Sequence, residues 1–150
     1  MTGSGTGWTA VTGGKMRGLS VGRQVNINPV RIQPNYVLKA LWAINPADEV
    51  FVRVGLSKDD TKSKEWTKID GSMKTVSVGP TGVCWAVDKK ETVWRRLGAK
   101  SSNPIGSKWQ SVTGRLSHIT VGQAGVWGIS PKNEVKYNHP QLVYNLANLR

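Results

Sequence analysis

The sequence predicts an all-β chain, a partial β-propeller of two to three four-stranded antiparallel blades. Three observations predict it. A tryptophan phrase occurs three times, as Trp8-Thr-Ala-Val-Thr-Gly, Trp66-Thr-Lys-Ile-Asp-Gly and Trp109-Gln-Ser-Val-Thr-Gly, each followed by an apolar run ending in Val-Gly at Gly22, Gly79 and Gly122. A second phrase follows each of these, as Trp42-Ala-Ile-Asn, Trp85-Ala-Val-Asp and Trp127-Gly-Ile-Ser. The last two opening tryptophans are 43 residues apart, and the second-phrase tryptophans are 43 and 42 apart. A period in the forties with several short strands per unit marks radial or stacked repeats, and no helical periodicity competes.

The best-preserved unit, residues 66–108, yields its elements in order. Trp66 to Ile69 supplies a short strand. Met73 to Val78 and Val83 to Val87 pair as a hairpin across Gly79-Pro-Thr-Gly82, where proline presets one φ and glycine accepts a positive one. Asp88-Lys-Lys-Glu91 is a polar break, Thr92 to Leu97 is a third long strand ended by Gly98, and Ala99 to Lys108 is a loop rich in Ser, Asn, Pro and Gly. Read as one unit, these four strands make one meandering blade. The repeats accordingly run over 8–22 plus 41–65, then 66–108, then 109–137, with 138–150 as a non-repeat tail.

Two departures interrupt the rhythm. Gly22 to Trp42 is 20 residues, whereas Gly79 to Trp85 is 6 and Gly122 to Trp127 is 5. The first repeat is therefore interrupted over 23–40, with Gln24 to Lys39 as the extra stretch. That stretch is either a functional loop on a propeller face or sequence foreign to the repeat, such as translated intron. The third repeat follows the pattern to Val135, and Asn138 stands where Arg53 and Arg96 stand in the others. Fewer than three complete blades leave a sheet edge and an apolar face uncovered, so a homo-oligomer or a longer chain is expected.

Composition narrows the function classes. Twenty-one basic against nine acidic residues give a net charge of +12, with no acid before Asp48 and none between Glu91 and Glu134. Such a surface attracts anions, but the cations are scattered singly or in pairs, so no specific nucleic-acid stripe is indicated. There is no run of 18 apolar residues, and the opening residues lack the basic and apolar stretches of a signal peptide. The lone Cys84, beside Trp85 in an apolar strand, reads as a small buried side chain. His118 and His139 lack spaced partners for a metal, and Gly13-Gly-Lys-Met16 lacks the first glycine and the hydroxyl of a phosphate loop. No catalytic set, metal or cofactor is expected, and the chain is not read as an enzyme.

The phrase Trp109-Gln-Ser-Val112-Thr-Gly114-Arg-Leu116-Ser-His-Ile119-Thr-Val121-Gly122, with Gly125-Val126-Trp127-Gly-Ile129 after it, resembles the tectonin β-propeller repeat. The resemblance covers most of the chain, with about ten positions recurring per unit. It implies a propeller, commonly of six blades, found in secreted lectins of innate immunity and egg fluids and in cytosolic autophagy tethers. On that resemblance the expected function is a carbohydrate-binding, lectin-like propeller that recognises bacterial surface glycans such as lipopolysaccharide in innate defence. The alternative is an intracellular module that binds proteins or phosphoinositide membranes in an autophagy or membrane-tethering protein. The resemblance favours secretion, and a cytoplasmic location is the alternative.

The recurring residues divide by setting. Trp42, Trp85 and Trp127 lie among Val, Ile and Ala and are expected in the core between blades. Trp8, Trp66 and Trp109 stand where loop meets strand, so each indole could close a blade or stack on a sugar ring. Arg53 and Arg96 share a strand face with Phe51 and Trp94. They could bond a neighbouring blade's acid or grip an anionic ligand in bidentate fashion. Trp8, Trp66, Trp109, Arg53 and Arg96 are the candidate ligand contacts. Asp48, Glu91 and Asn133 occupy one turn position in every unit and are read as turn formers.

Overall fold

The computed structural model describes residues 14–26, 35–56 and 65–138. Among the described residues eleven strands run in chain order and there is no helix: β1 (Gly18–Asn26), β2 (Asn35–Ile44), β3 (Glu49–Val54), β4 (Thr67–Ser72), β5 (Thr75–Val78), β6 (Cys84–Val87), β7 (Thr92–Arg96), β8 (Trp109–Arg115), β9 (His118–Gly122), β10 (Gly125–Ile129) and β11 (Val135–Asn138). They form three antiparallel meanders, β1-β2-β3-β4, β5-β6-β7-β8 and β9-β10-β11. The described residues are all-β, two four-stranded blades followed by one in which three strands are described.

The blades are out of phase with the sequence repeat. The strand after Trp66 does not join the unit it opens. It runs beside β3, with Val50 opposite Ile69 and Val52 opposite Thr67. The strand of Trp109 likewise lies beside β7, Val93 opposite Val112. An opening phrase therefore closes the preceding blade as its outer strand and then delivers the chain to the inner strand of the next. The glycine ending each phrase makes this possible. Both ladders shift register, so that Asp70 and Gly71, or Thr113 and Gly114, bulge out opposite no partner. Gly71 and Gly114 have φ of 97° and 117°, a backbone that a side chain resists.

The hairpin between the second and third strand of each blade is built identically three times. Asp48, Glu91 and Asn133 all adopt left-handed φ, at 63°, 65° and 63°. Three residues earlier a short polar side chain caps the turn: Asn45 Oδ1 accepts from the Ala47 and Glu49 amides, and Asp88 Oδ1 accepts from those of Lys90 and Thr92. Ser130 Oγ does the same with Lys132 and Glu134. These side chains replace the partners that turn amides lack, which is why Asn, Asp and Ser share the position.

Apolar residues alternate along the strands and fill two inter-blade layers. Between the first and second sheets lie Trp42, Ile44, Val50, Val52, Val76, Val78 and Cys84. Between the second and third lie Trp85, Val87, Val93, Ile119 and Val126. A fully buried indole such as Trp42 contributes about 4–6 kcal/mol from area removed from water, an upper estimate. Inner strands are also stapled across blades, since the Val78 and Val121 amides donate to Ser20 Oγ and Ser77 Oγ, each at 2.9 Å. Past a register shift at Gly22/Arg23, β1 and β2 stay paired through Arg23 opposite Leu38 to Asn26 opposite Asn35. The described parts of the extra stretch thus lengthen the first hairpin, and its residues 27–34 lie outside the described residues.

Candidate functional site

The arginines expected to reach a ligand lie inside the protein. Arg53 is 2% exposed and Arg96 5%. Arg96 Nε donates to the Ile105 carbonyl at 2.9 Å, its Nη1 meets Asp70 of the first sheet at 2.7 Å, and its guanidinium lies 5.2 Å from the ring centre of Trp109. Arg53 is stacked in the same manner over Trp66, at 4.6 Å. Stripped of water on one face, such a cation is held by the quadrupole of the ring. Neither guanidinium is presented to solvent as a ligand contact would require. The cause is the outer strand, which brings the tryptophan beneath the arginine at the end of the neighbouring ladder.

The opening tryptophans also belong to this arrangement. Trp109 Nε1 donates to the Asp70 carbonyl at 2.8 Å, and its ring meets Trp42 of the first sheet edge-on, with centroids 6.0 Å apart. Trp66 and Trp109 are half-buried, while Trp8 lies outside the described residues. Of the tryptophans expected in the core, Trp42 and Trp85 are buried, but Trp127 is 42% exposed. The correction has a simple cause. Trp127 faces outward from the third sheet, and among the described residues no further blade packs over it. It leans instead on Tyr137, with ring centres 4.3 Å apart.

A cleft between the second and third blades is open to a solute. At the end bearing the β5–β6 and β9–β10 turns it encloses a cavity of about 260 Å³, lined by Trp85, Val83, Val121, Arg95, Thr81 and Gln123 among others. Arg95 is exposed. Its repeat equivalents are Val52 and Tyr137, so no repeated pattern flags it, and the net charge was the sole signal in the sequence. The lining combines apolar Trp85, Val83 and Val121 with a cation, an amide and a hydroxyl from Arg95, Gln123 and Thr81.

The opposite edge carries a denser set of cations. Arg17 bonds the carbonyls of Asn45 at 3.1 Å, Lys74 at 2.8 Å and Met73 at 3.1 Å, and it pairs with the Asp48 carboxylate. Lys89 reaches the same carboxylate. Hydrogen bonding from Lys89, opposed by burial and reinforced by Arg17, holds the Asp48 carboxyl below its ordinary range. Arg115 pairs with Glu91 at 2.9 Å within the second blade, at the end of the β7–β8 ladder. Arg17, Lys74 and Ser117 stand five residues before each Val-Gly glycine. Their amides donate to Ile44, Val87 and Ile129 at 2.7–2.8 Å.

Among the described residues no cluster of three His, Cys, Asp or Glu is placed to hold a metal. Burial pushes the Cys84 thiol far above its ordinary pKa, the reverse of what a nucleophile needs.

Comparison with known families agrees with this geometry. The family model of the tectonin domain matches residues 1–114. The chain belongs to the tectonin family. The match takes in all three opening phrases of this tectonin chain, and β9 to β11 continue the same architecture beyond it. No curated protein matches the tectonin chain. Membership accounts for the repeated architecture and leaves the ligand to be argued from the surface.

Proposed function

We propose that this tectonin chain is a carbohydrate-binding, lectin-like propeller that recognises anionic bacterial surface glycans such as lipopolysaccharide in innate defence. The observation that carries the reading is the cleft between the second and third blades, whose lining sets Arg95, Gln123 and Thr81 beside apolar Trp85, Val83 and Val121. A sugar ring offers an apolar face and a fringe of hydroxyls, and its phosphate or carboxylate substituents suit a guanidinium. The net charge of +12 draws such ligands in from a distance. One shallow cleft binds weakly, and several presented together supply avidity.

The test is binding to lipopolysaccharide and to a glycan array, with a charge-matched unrelated protein as the control. The wild-type protein should exceed the control, and Arg95→Gln with Gln123→Ala should return it to the control level. Binding equal to the control from the start would sink the proposal. The exposed cations of the opposite edge favour a second reading, an intracellular module for phosphoinositide membranes or acidic proteins. Lys89 and Arg115 have side chains 75% and 67% exposed on that edge. Under this reading vesicles containing phosphoinositide would retain the protein, and Lys89→Gln with Arg115→Gln would release it while glycan binding stayed unchanged.

A further inference from the structure

Among the described residues the turn that closes the first hairpin of a blade is seen twice, as Gly79-Pro80-Thr81-Gly82 between β5 and β6 and as Gly122-Gln123-Ala124-Gly125 between β9 and β10. In both, the carbonyl of the third residue is held from elsewhere in its own blade, but by different donors. The Thr81 carbonyl accepts from the Ser101 amide at 2.8 Å, a backbone donor carried by the loop between β7 and β8. The Ala124 carbonyl accepts from the Tyr137 hydroxyl at 2.7 Å, a side-chain donor carried by β11.

The fourth residue of each turn is glycine for one shared reason. Whatever fastens the turn passes directly against it. A Cβ on Gly82 would stand 2.5 Å from the Lys100 and Ser101 backbone, and one on Gly125 would stand 2.8 Å from the Tyr137 ring. Neither approach leaves room for a methyl group. Two unrelated elements thus do one job at one place in the blade, which sets the Tyr137 hydroxyl apart from a chance surface contact.

Tyr137 also stands at the repeat position of Arg95. Each pairs across its ladder with the second tryptophan of its unit, Arg95 with Trp85 and Tyr137 with Trp127. In the second blade the loop after β7 already holds the turn carbonyl, and the exposed Arg95 lines the cleft instead. In the third blade the same position fastens the turn. The Trp127 ring, 4.3 Å from that of Tyr137, directs the phenol toward it.

The fastened turn is one wall of the cleft. Gly122, Gln123 and Gly125 line it, whereas Tyr137 stands outside the lining. A hairpin tip of two residues is among the first parts of a sheet to open, and a side chain it carries must be ordered when a ligand binds. We propose that Tyr137 is a positioning residue of the cleft: its hydroxyl orders the Gly122 to Gly125 turn in advance, so that the Gln123 amide meets the hydroxyl fringe of a bound sugar. The inference rests on the reading of this cleft as a glycan site.

Tyr137→Phe in the full chain tests it, because the substitution removes the hydroxyl and keeps the ring against Trp127. Hydrogen exchange over Gly122 to Val126 should quicken by about three- to tenfold, the range of one neutral hydrogen bond. Exchange over Gly79 to Val83, held by the loop after β7, should keep the wild-type rate. Binding to lipopolysaccharide should weaken by a similar factor.

A double-mutant cycle separates positioning from general stiffening of the blade. In a Gln123→Ala background Tyr137→Phe should change lipopolysaccharide binding by less than about twofold, and in an Arg95→Gln background it should keep its full effect. A phenol that only stiffened the blade would cost the same factor in both. Unchanged exchange at the turn, or a full loss in the Gln123→Ala background, would overturn the proposal. If the wild type binds and Tyr137→Phe matches it, the cleft stands and the role of Tyr137 alone falls. If the wild type binds no better than the charge-matched control, the glycan reading of the cleft fails and this role fails with it.

Discussion

Replacing Arg96 by methionine tests whether this residue holds the blades together, as its burial implies, or binds ligand, as its repetition suggested. Methionine keeps a flexible apolar stem of similar reach and removes the guanidinium. Three interactions go with it. The charged hydrogen bond to the Ile105 carbonyl, 2.9 Å and part-buried, contributes about 1.5–3 kcal/mol. Stacking on Trp109 at 5.2 Å contributes about 1–2 kcal/mol in a desolvated setting. The pair with Asp70 contributes only about 0–1 kcal/mol, because the aspartate side chain is 63% exposed. Against these stands the cost of keeping a cation 5% exposed, which the apolar side chain relieves. The net expectation is a loss of about 2–4 kcal/mol, a large fraction of the stability of a small domain.

Urea unfolding followed by tryptophan fluorescence reads this loss directly, since Trp109 lies beneath the substituted group. Asp70→Asn is the control, with an expected loss of about 0–1 kcal/mol. If Arg96→Met falls within about 1 kcal/mol of wild type, or if Asp70→Asn equals it, the structural account of Arg96 is wrong.

Further outcomes follow from particular contacts. Gly82→Ala should cost about 2–4 kcal/mol in urea unfolding, because φ is 85° and a Cβ would stand 2.5 Å from Lys100 and Ser101 backbone. Gly114→Ala, with φ of 117° and nothing within 4 Å, should cost only about 1–2 kcal/mol of backbone strain. Cys84 should resist a thiol reagent until the protein unfolds, its labelling rate rising with urea in step with the fluorescence transition. Asp48 has a depressed carboxyl pKa, so its stabilising pairs are fully present above its unfolded value of 3.8 and fade as pH falls through the lower folded value. Asp48→Asn preserves a residue tolerant of positive φ, as Asn133 shows, and should flatten the acid limb of the melting curve below pH 3.8.

The hairpins were legible because their causes are local. Gly79 and Gly82 make their turn through bonds among neighbours: the Gly79 amide donates to the Val83 carbonyl, and the Gly82 amide to the Gly79 carbonyl. The Asp48, Glu91 and Asn133 position could be read as a turn from its polarity alone. Ser130 stands where Asn45 and Asp88 stand, because a hydroxyl accepts from the same two amides as a carboxamide or carboxylate. The phase of the blades was not legible. A repeat written on the chain says where the pattern begins, whereas blade membership depends on which ladder Thr67 to Ser72 joins across space. For the same reason the sequence left Arg53 and Arg96 open between a neighbouring blade's acid and an anionic ligand, and Arg96 meets the acid, Asp70. Arginine is seldom buried without a partner, and their partners Trp66 and Trp109 come 13 residues later, past a loop. Trp127 shows the converse, a residue whose burial is decided by a neighbour its own strand cannot specify.

The charge of this protein sets what any ligand argument must explain. Nine carboxylates can neutralise at most nine of 21 positive charges, so no arrangement of side chains cancels the field. A general field and a built site nevertheless respond differently to salt and to substitution. Attraction to scattered surface cations weakens steeply over a Debye length of about 8 Å at physiological ionic strength, and it scarcely distinguishes one lysine from another. A guanidinium set beside apolar side chains is partly shielded from salt and depends on its fork of donors, so Arg95→Lys keeps the charge and should still lose binding. If glycan affinity survives that change but collapses with added salt, the +12 surface is the whole of the interaction and the cleft beside Trp85 has no part in it.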